Sequence, residues 1–355
     1  MSKRVTIKDI AKKTGVSIST VHFALANKSG VSKDTRERIK KIADECGYKP
    51  NMAASSLKRK TINIAAAFPV PKEDNRFYFT NVWEGVREYM ERMSDFNVEL
   101  CEIEYDNDPK KQSKEITNLL RHKNISGLLT VGHMGTYGEM SIERFIKEEI
   151  PVVLINTDLP NSGRLCSIHP DYKIIGRTLA ELITRQIPKD SKILLCAGGE
   201  SIPSHYLIAQ GFDEYLNNKN LKHQVIKIYD DKNKEVLYQK IKKELKRREV
   251  RGCCSVNARN SVLLGRAVLE NDRDGEIAAV GSDLFEENFR YLREGVFTQL
   301  LYKKPYLQSY LAAKYLLEYI LKEKIPPRDI IYVNSEIVFQ SSMDMYEEET
   351  YKFLF

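Results

Sequence analysis

From position 62 to the C-terminus, short apolar segments alternate with longer segments of helical periodicity, and this alternation constrains the fold more than any other feature. Continuous apolar strands that alternate with helices are typical of parallel sheets covered by helices on both faces. The predicted strands are 62–68, 97–103, 127–131, 151–156, 192–198, 224–229, 252–256, 277–283, 296–301 and 330–338. The predicted helices between them include 80–93, 110–122, 172–186, 204–217, 234–248, 260–270 and 306–322. Because these strands are many for one sheet, two successive α/β units of roughly 120 residues each fit better.

The first 60 residues differ from this α/β body in charge. They carry 15 Lys and Arg against 5 Asp and Glu, a net charge of +10. The whole chain has a net charge of +7, so the remaining residues sum to −3. A small basic head on a slightly acidic body indicates a polyanion-binding module joined to a second function, although charge alone is equally compatible with a solubilising surface.

The head is predicted to be all-α, with three short helices that each follow a capping residue. Thr6 begins the first helix and Asp9 completes a variant of the capping box, while Ser17 and Ser32 begin the other two. Gly15 permits a tight turn after the first helix. Apolar positions recur at helical spacing and predict a shared core of Ile10, Ala11, Val16, Val21, Leu25, Ile39, Ile42 and Ala43.

The second helix has the size of a DNA-recognition element. A helix of about eight residues can enter the ~12 Å major groove end-on, with its outward side chains against base edges. Because Val21 faces inward, Ile18, Ser19, His22 and Phe23 are expected to point outward. Caps place helix N-termini where phosphates bind. The predicted DNA contacts of the head are Thr6, Ile7, Ser17, Ile18, Ser19, Thr20, His22, Phe23, Ser32 and Thr35.

About 55 N-terminal residues share a long spaced pattern with one family of regulators. The matching positions are Thr6, Ile7, Asp9, Ile10, Ala11, Gly15, Val16, Ser17, Thr20, Val21, Val31, Ser32, Thr35, Arg36, Arg38, Ile39, Gly47, Tyr48, Pro50, Asn51, Ala54 and Leu57. The segment resembles the DNA-binding head of the lac repressor (LacI/GalR) family. The resemblance implies a helix-turn-helix domain over 1–49, a cytoplasmic homodimer and a pseudo-palindromic operator in double-stranded DNA.

One position of the head departs from the family pattern. Relatives commonly carry Val-Ser-Arg where this chain carries Val21-His22-Phe23. Loss of the arginine predicts a different operator sequence bound in the same mode. Two interpretations of Phe23 stay open, since its ring can contact a thymine methyl or pack on the core of the head.

The segment 50–61 matches the hinge of the family. There the resemblance implies a short helix that folds on DNA and wedges a leucine into the minor groove, the position of Leu57. Asn51 and Ala54 are further predicted DNA contacts of this segment. The alternative is a plain linker.

Residues 62–355 resemble the effector domain of the same family, which has the type I periplasmic-binding-protein fold. The resemblance implies two parallel-sheet lobes around a ligand cleft, with chain crossings near 168–172, 297–303 and 333–337. It assigns 62–168 and 303–333 to the first lobe and 172–297 and 337–355 to the second. The implied effector is a small sugar-like molecule, and neither a cofactor nor a metal is expected.

Ligands in such folds bind where strand C-termini meet helix N-termini across the cleft. The residues at such positions that are predicted to contact the ligand are Tyr78, Phe79, Asn156, Ser204, Tyr206, Arg259, Asn260, Asp283 and Lys303. For each, the alternative is a surface or capping role.

A second departure lies before Gly211, where relatives usually carry an arginine and this chain carries Ser204-His205-Tyr206. Arg259 and Lys303 can supply positive charge instead, so an anionic sugar such as a uronic acid or a sugar phosphate is one open alternative. A different ligand, or loss of ligand response, is equally open.

Other protein classes find little support in the sequence. It contains no Walker loop, GxSxG, GxGxxG or metal-spaced His/Cys cluster, so an enzyme of Rossmann type is a weak alternative. A transport-type solute-binding protein is the second alternative, but the basic N-terminus lacks the apolar core of a secretory signal. No segment has the ~20 apolar residues that span a membrane. The six cysteines include no CxxC pair and are expected to be reduced thiols.

Overall fold

The computed structural model describes residues 5–25, 29–48, 61–106, 109–122, 124–132 and 136–347. The chain divides into two compact units, a small one with the three N-terminal helices and a large one with both sheets. The helices of the small unit are α1 (Ile7–Thr14), α2 (Ile18–Leu25) and α3 (Lys33–Glu45).

Local side-chain chemistry begins and ends the helices of the head as predicted. At the start of α1, Thr6 N donates to Asp9 Oδ2 at 2.8 Å while Asp9 N donates to Thr6 Oγ1 at 3.4 Å, which confirms the capping box. Ser17 Oγ accepts from the backbone N–H of Thr20 at 3.0 Å at the start of α2. Gly15 ends α1 with a φ of 68°, a left-handed conformation that favours glycine.

The core of the head lies between the three helices. Its fully buried side chains are Ile10, Val21, Ala24 and Ile39, with Ala11 and Ala43 nearly buried beside them. Val16 and Leu25 pack at its edge, as half-buried residues. The sequence pattern predicted most of this core. It missed the buried Ala24 and Thr14, and the predicted member Ile42 is half-buried and lies outside the cluster.

The first sheet of the large unit has six strands in the order β11-β5-β4-β3-β1-β2. Neighbouring pairs from β1 to β11 are parallel. These strands are β1 (Ile62–Pro69), β2 (Val98–Tyr105), β3 (Ile125–Val131), β4 (Val152–Ile155), β5 (Cys166–His169) and β11 (Ile330–Tyr332). The helices between and beside them are α4 (Arg76–Arg92), α5 (Pro109–His122), α6 (Thr136–Lys147) and α12 (Pro305–Lys322).

The second sheet also has six strands, in the order β12-β10-β9-β8-β6-β7, and only the β10–β12 pair is antiparallel. These strands are β6 (Lys192–Gly198), β7 (Gln224–Tyr229), β8 (Val250–Ser255), β9 (Ala278–Ser282), β10 (Gln299–Tyr302) and β12 (Glu336–Val338). The associated helices are α7 (Tyr172–Thr184), α8 (Pro203–Asn218), α9 (Lys234–Leu245), α10 (Ala258–Leu269), α11 (Glu286–Arg293) and the short α13 (Asp344–Glu347).

Each sheet and its helices form one lobe, and the strand pattern differs from the prediction at two points. The predicted strand 330–338 is two strands in different sheets, because β11 pairs with β5 in the first lobe and β12 pairs with β10 in the second. The sequence pattern also missed β5, which has only four residues and two polar side chains. No helix in the described ranges combines the length and apolarity needed to cross a bilayer.

Candidate ligand cleft and DNA-binding surface

A cavity of about 570 Å³ lies between the two lobes, at the carboxyl ends of their parallel strands. This volume is in the range of small-molecule sites. The predicted ligand residues that line it are Tyr78, Phe79, Asn156, Ser204, Arg259, Asp283 and Lys303. Tyr206 and Asn260 do not line it: Tyr206 is exposed and bonded to Gln210, and Asn260 is fully buried. Two-lobed parallel sheets thus bring most of the predicted residues together.

Strand ends explain why polar side chains reach this cavity. Asn156 follows β4 and Asp283 follows β9, with φ values of 60° and 69° respectively. Asn and Asp tolerate this left-handed conformation better than other side chains, because their short polar groups bond locally. The chain therefore turns sharply at both positions and presents a polar group to the cleft.

The first-lobe wall of the cavity carries aromatic side chains together with the carboxylate of Asp74. The rings of Tyr78 and Phe79 contact each other edge to face, with centroids 5.3 Å apart. Tyr78 donates to Gln308 Oε1 at 3.2 Å, and burial raises the pKa of the Tyr78 phenol well above its usual value. From the second lobe, Tyr172 at the start of α7 donates to Asn156 Oδ1 at 3.0 Å. This wall can stack on a ring and can offer amide groups.

The second-lobe wall contains a buried ion pair between Lys303 and Asp283. The Lys303 Nζ lies 2.6 Å from Asp283 Oδ2, and the two side chains are 7% and 2% exposed. The same ammonium donates to Val256 O at 3.2 Å and to Ser282 Oγ. An ammonium has three N–H donors, so these partners use all of them. Lys303 therefore has neither charge nor donors left over for a ligand.

Arg259 reaches across the cleft to the first lobe. Its Nε lies 3.4 Å from Asp74 Oδ2, and its Nη2 donates to Asp231 O at 2.9 Å. Asp74 also pairs with Lys234, at 2.7 Å. The guanidinium is thus held by partners from both lobes, but it shares the Asp74 carboxylate with Lys234, and its buried Nε makes no hydrogen bond.

His205 lines the cavity and lies in the stretch before Gly211 where relatives of the predicted family usually carry an arginine. The backbone N–H of Gly199 donates to His205 Nδ1 at 3.0 Å, so that nitrogen is unprotonated and Nε2 carries the proton. Burial, together with the charge of Lys303, lowers the pKa of His205 to about 3. Gly198, with a φ of 70°, lies directly against this ring. A Cβ at that position would be only 2.5 Å from His205 Nδ1, so glycine provides the space for the imidazole. His205 is therefore a neutral N–H donor in the cleft.

Asp230, His205 and Asn257 line the cavity but were not among the predicted contacts. Asp230 directly follows β7, so the strand-end rule that selected Asn156 applied to it equally. Asn260 instead supports the site, because its Nδ2 donates to Asp230 Oδ1 at 2.7 Å. In the described ranges, no cluster of His, Cys, Asp or Glu side chains is arranged to hold a metal ion.

The small unit presents the outward face of α2. Ile18 and Phe23 are 46% and 41% exposed, and His22 and Ser19 are exposed beside them. The ring of Phe23 is therefore on the surface and not in the core of the head. The caps Thr6, Ser17 and Ser32 lie at the N-termini of their helices, as the predicted phosphate contacts require. Asn51, Ala54 and Leu57 lie outside the described residues.

Comparison with known proteins identifies both units. The family model "Bacterial regulatory proteins, lacI family" matches residues 6–51, and "Periplasmic binding protein domain" matches residues 65–324. The HTH-type transcriptional regulator DegA of Bacillus subtilis is 31% identical over 158 residues, 44% of this chain and 45% of that protein. Catabolite control protein A of Staphylococcus aureus is 26% identical over 219 residues, 61% and 63% of the two chains. The alignments thus span about half to three fifths of these relatives.

A solved structure shows the same fold as the body. The ABC-transporter solute-binding protein of Agrobacterium vitis, with bound D-fucose, superposes with a TM-score of 0.71 and 17% identity, covering 80% of this chain and 98% of that one. The fold class predicted from the sequence, a helix-turn-helix head on a two-lobed α/β body, is confirmed. The chain belongs to the periplasmic-binding-protein domain family, which its body matches over residues 65–324, and its residues 6–51 are similar to the lacI family of bacterial regulatory proteins.

Proposed function

We propose that the protein is a cytoplasmic, sequence-specific DNA-binding transcription regulator, a repressor of carbohydrate-related genes that answers to a small sugar-like ligand. The observation that carries this proposal is the combination of an exposed α2 surface in the head with a 570 Å³ cleft lined by aromatic and polar groups in the body. Two relatives are named as a transcriptional regulator and a control protein, and a structural neighbour binds D-fucose.

The head supplies the contacts to DNA. Exposed Ile18, Ser19, His22 and Phe23 are assigned to base edges in the major groove, and the capped helix N-termini to phosphates. A homodimer presents two heads to a pseudo-palindromic operator, because a two-fold assembly repeats the same contacts on each half-site. We assign 1–49 to this domain, 50–61 to the hinge with its wedge Leu57, and 62–355 to the effector domain.

The cleft supplies the control of DNA binding. A ligand that contacts both lobes favours the arrangement in which they are closed around it, since its binding energy is available only there. Aromatic Tyr78 and Phe79 stack on the ligand ring, while Asn156, His205 and Asp283 bond its polar groups. Because lobe closure and operator affinity are linked, the ligand changes the affinity of the heads for DNA.

The test is an electrophoretic mobility shift with operator fragments selected from genomic DNA by the full-length chain. We expect retention of a defined palindromic sequence, a steep loss of binding with salt, and no binding by a variant that lacks residues 1–60. The truncated protein serves as its own control, because its thermal stabilisation by a sugar reports an intact cleft. Equal DNA binding without residues 1–60 contradicts the proposal. A full-length chain that prefers no sequence contradicts it as well.

A further inference from the structure

The cavity is lined by three carboxylates, and the protein compensates two of them. Asp283 has the ammonium of Lys303 at 2.6 Å. Asp74 has the Lys234 ammonium at 2.7 Å and the Arg259 guanidinium at 3.4 Å. Both carboxylates thus have a cationic partner without any contribution from a ligand.

Asp230 is the third carboxylate, and it has a different environment. Its Oδ1 accepts a hydrogen bond from Asn260 Nδ2 at 2.7 Å, which fixes the side chain at the end of β7. Asn260 is itself fully buried and held by Asn257, whose Oδ1 accepts from Asn260 N at 2.8 Å. Within the described ranges, no Lys, Arg or His nitrogen lies within the 4.0 Å of an ion pair with Asp230. The carboxylate is positioned but not neutralised.

The cations of the cleft offer little to a negatively charged ligand. All three donors of the Lys303 ammonium are used by Asp283, Ser282 and Val256. Arg259 shares the single Asp74 carboxylate with Lys234, and His205 is neutral. An anionic sugar would therefore be attracted by Arg259 alone and would meet the uncompensated carboxylate of Asp230. The anionic ligand that the sequence left open is thus not the one that this charge distribution favours.

We propose that the ligand of the cleft carries an ammonium group on a sugar-sized polyol, and that Asp230 binds this ammonium. Because Asp230 can meet a ligand only if the cleft binds one, the assignment rests on the proposed function. An amino sugar with a free amine is the chemical class that fits, since its hydroxyl groups suit the amide and imidazole groups and its charge suits Asp230.

The energetics favour an ammonium over a neutral hydroxyl at this position. A ligand that fills the cavity removes water from Asp230, and a desolvated carboxylate without a counter-charge is costly. A hydroxyl donates one hydrogen bond and leaves the charge uncompensated, whereas an ammonium forms the stronger charge-assisted bond and neutralises it.

The test is isothermal titration of the full-length chain with matched probes that differ only in charge. Two series are used: D-glucosamine, D-glucose, N-acetyl-D-glucosamine and D-glucuronate, and the corresponding galactose compounds. We expect an amine member to bind at least tenfold more tightly than its neutral, acetylated and acidic counterparts. Asp230→Asn should weaken the amine about 10- to 100-fold and bring it to the level of the neutral sugar.

The matched control is Asp231→Asn, which removes the neighbouring carboxylate that pairs with Lys240 at 3.0 Å and does not line the cavity. It should leave the affinity for the amine unchanged, and an unchanged melting temperature of both variants shows that they are folded. A neutral or acidic sugar that binds as tightly as its amine overturns the ammonium assignment and leaves the proposed regulator intact. Binding of no amine probe overturns the assignment too. Failure of every sugar to bind, with operator binding retained, also removes the sugar ligand from the proposed function.

Discussion

The head and the body of this chain build their functional surfaces by different means. In the head, the contacts that shape the surface join residues three positions apart, as in Thr6 with Asp9 and Ser17 with Thr20. In the cleft, Lys303 meets Asp283 across 20 positions and Asp230 meets Asn260 across 30. The functional residues of the head can therefore be recognised from a short stretch of sequence. Those of the cleft come together only when the chain folds and distant strand ends meet.

Among the substitutions that compare the two regions, we expect the largest loss of stability when the buried ion pair of the cleft is broken. Asp283→Asn keeps the shape of the side chain but leaves the Lys303 ammonium buried without its anionic partner. We expect the free energy of unfolding of the body to fall by about 3 to 5 kcal/mol, measured by urea denaturation.

The matched control for this variant is the double substitution Asp283→Asn with Lys303→Met. Because it removes both charges, it should recover most of the lost stability. If Asp283→Asn is as stable as the unmodified protein, the Lys303–Asp283 pair is exposed to solvent. This contact between distant parts of the sequence then does not stabilise the body.

In the head, burial and exposure alternate along α2, and two neighbouring substitutions separate stability from binding. Val21 is fully buried, so Val21→Ala should lower the stability of the head by about 2 kcal/mol. Phe23 is 41% exposed, so Phe23→Ala should leave the stability within about 0.5 kcal/mol and weaken operator binding about tenfold. Hydrogen exchange of head amides measures the first effect and mobility shift the second. Loss of head stability in Phe23→Ala would place its ring in the core instead.

Much of the head could be predicted from the sequence because the residues that shape it lie close together along the chain. Caps, turn and core positions are specified within α1 to α3, and the predicted residues lie where expected except for Ile42, which is outside the core. In the body, the alternation of strands and helices predicted the parallel sheets, and the strand-end rule found Asn156 and Asp283. The same rule applies to Asp230, which directly follows β7 but was not among the predicted contacts. The pairing of Lys303 with Asp283 was not visible in the sequence, and it uses the ammonium donors that the prediction had left for a ligand.

His205 provides a test of the cleft that depends on pH. Its pKa is about 3 in the folded chain against about 6.5 for an unperturbed histidine, so the unfolded chain takes up a proton first as the pH falls. Its contribution to stability is complete above about pH 6.5 and is lost on acidification. Between pH 7 and pH 5 we expect the unmodified protein to lose about 1 to 2 kcal/mol more than His205→Gln.

Thermal unfolding at a series of pH values measures this difference. Glutamine keeps an acceptor for the Gly199 N–H and does not titrate. The difference between the two proteins therefore measures the effect of His205 protonation on stability. The second buried histidine, His169, has a pKa that burial lowers as well, and it is present in both proteins and cancels. Parallel pH profiles would mean that His205 is solvated and that its proton is not confined to Nε2.

The smallest expected effect compares one kind of interaction in both regions. Thr6 caps α1 in the head, and Asn233 caps α9 in the body, where its Oδ1 accepts from Glu235 N at 2.9 Å. Replacing either by alanine removes the side-chain capping of one helix and should cost about 1 kcal/mol. Native-state hydrogen exchange should show faster exchange across the whole head in Thr6→Ala, because a domain of about 50 residues opens as one unit. In Asn233→Ala the faster exchange should stay within α9 and its neighbours, since the large body opens locally at lower cost than globally. If Asn233→Ala instead speeds hydrogen exchange throughout the body, the lobes unfold as cooperatively as the head. The difference between local contacts in the head and long-range contacts in the cleft would then have no counterpart in stability.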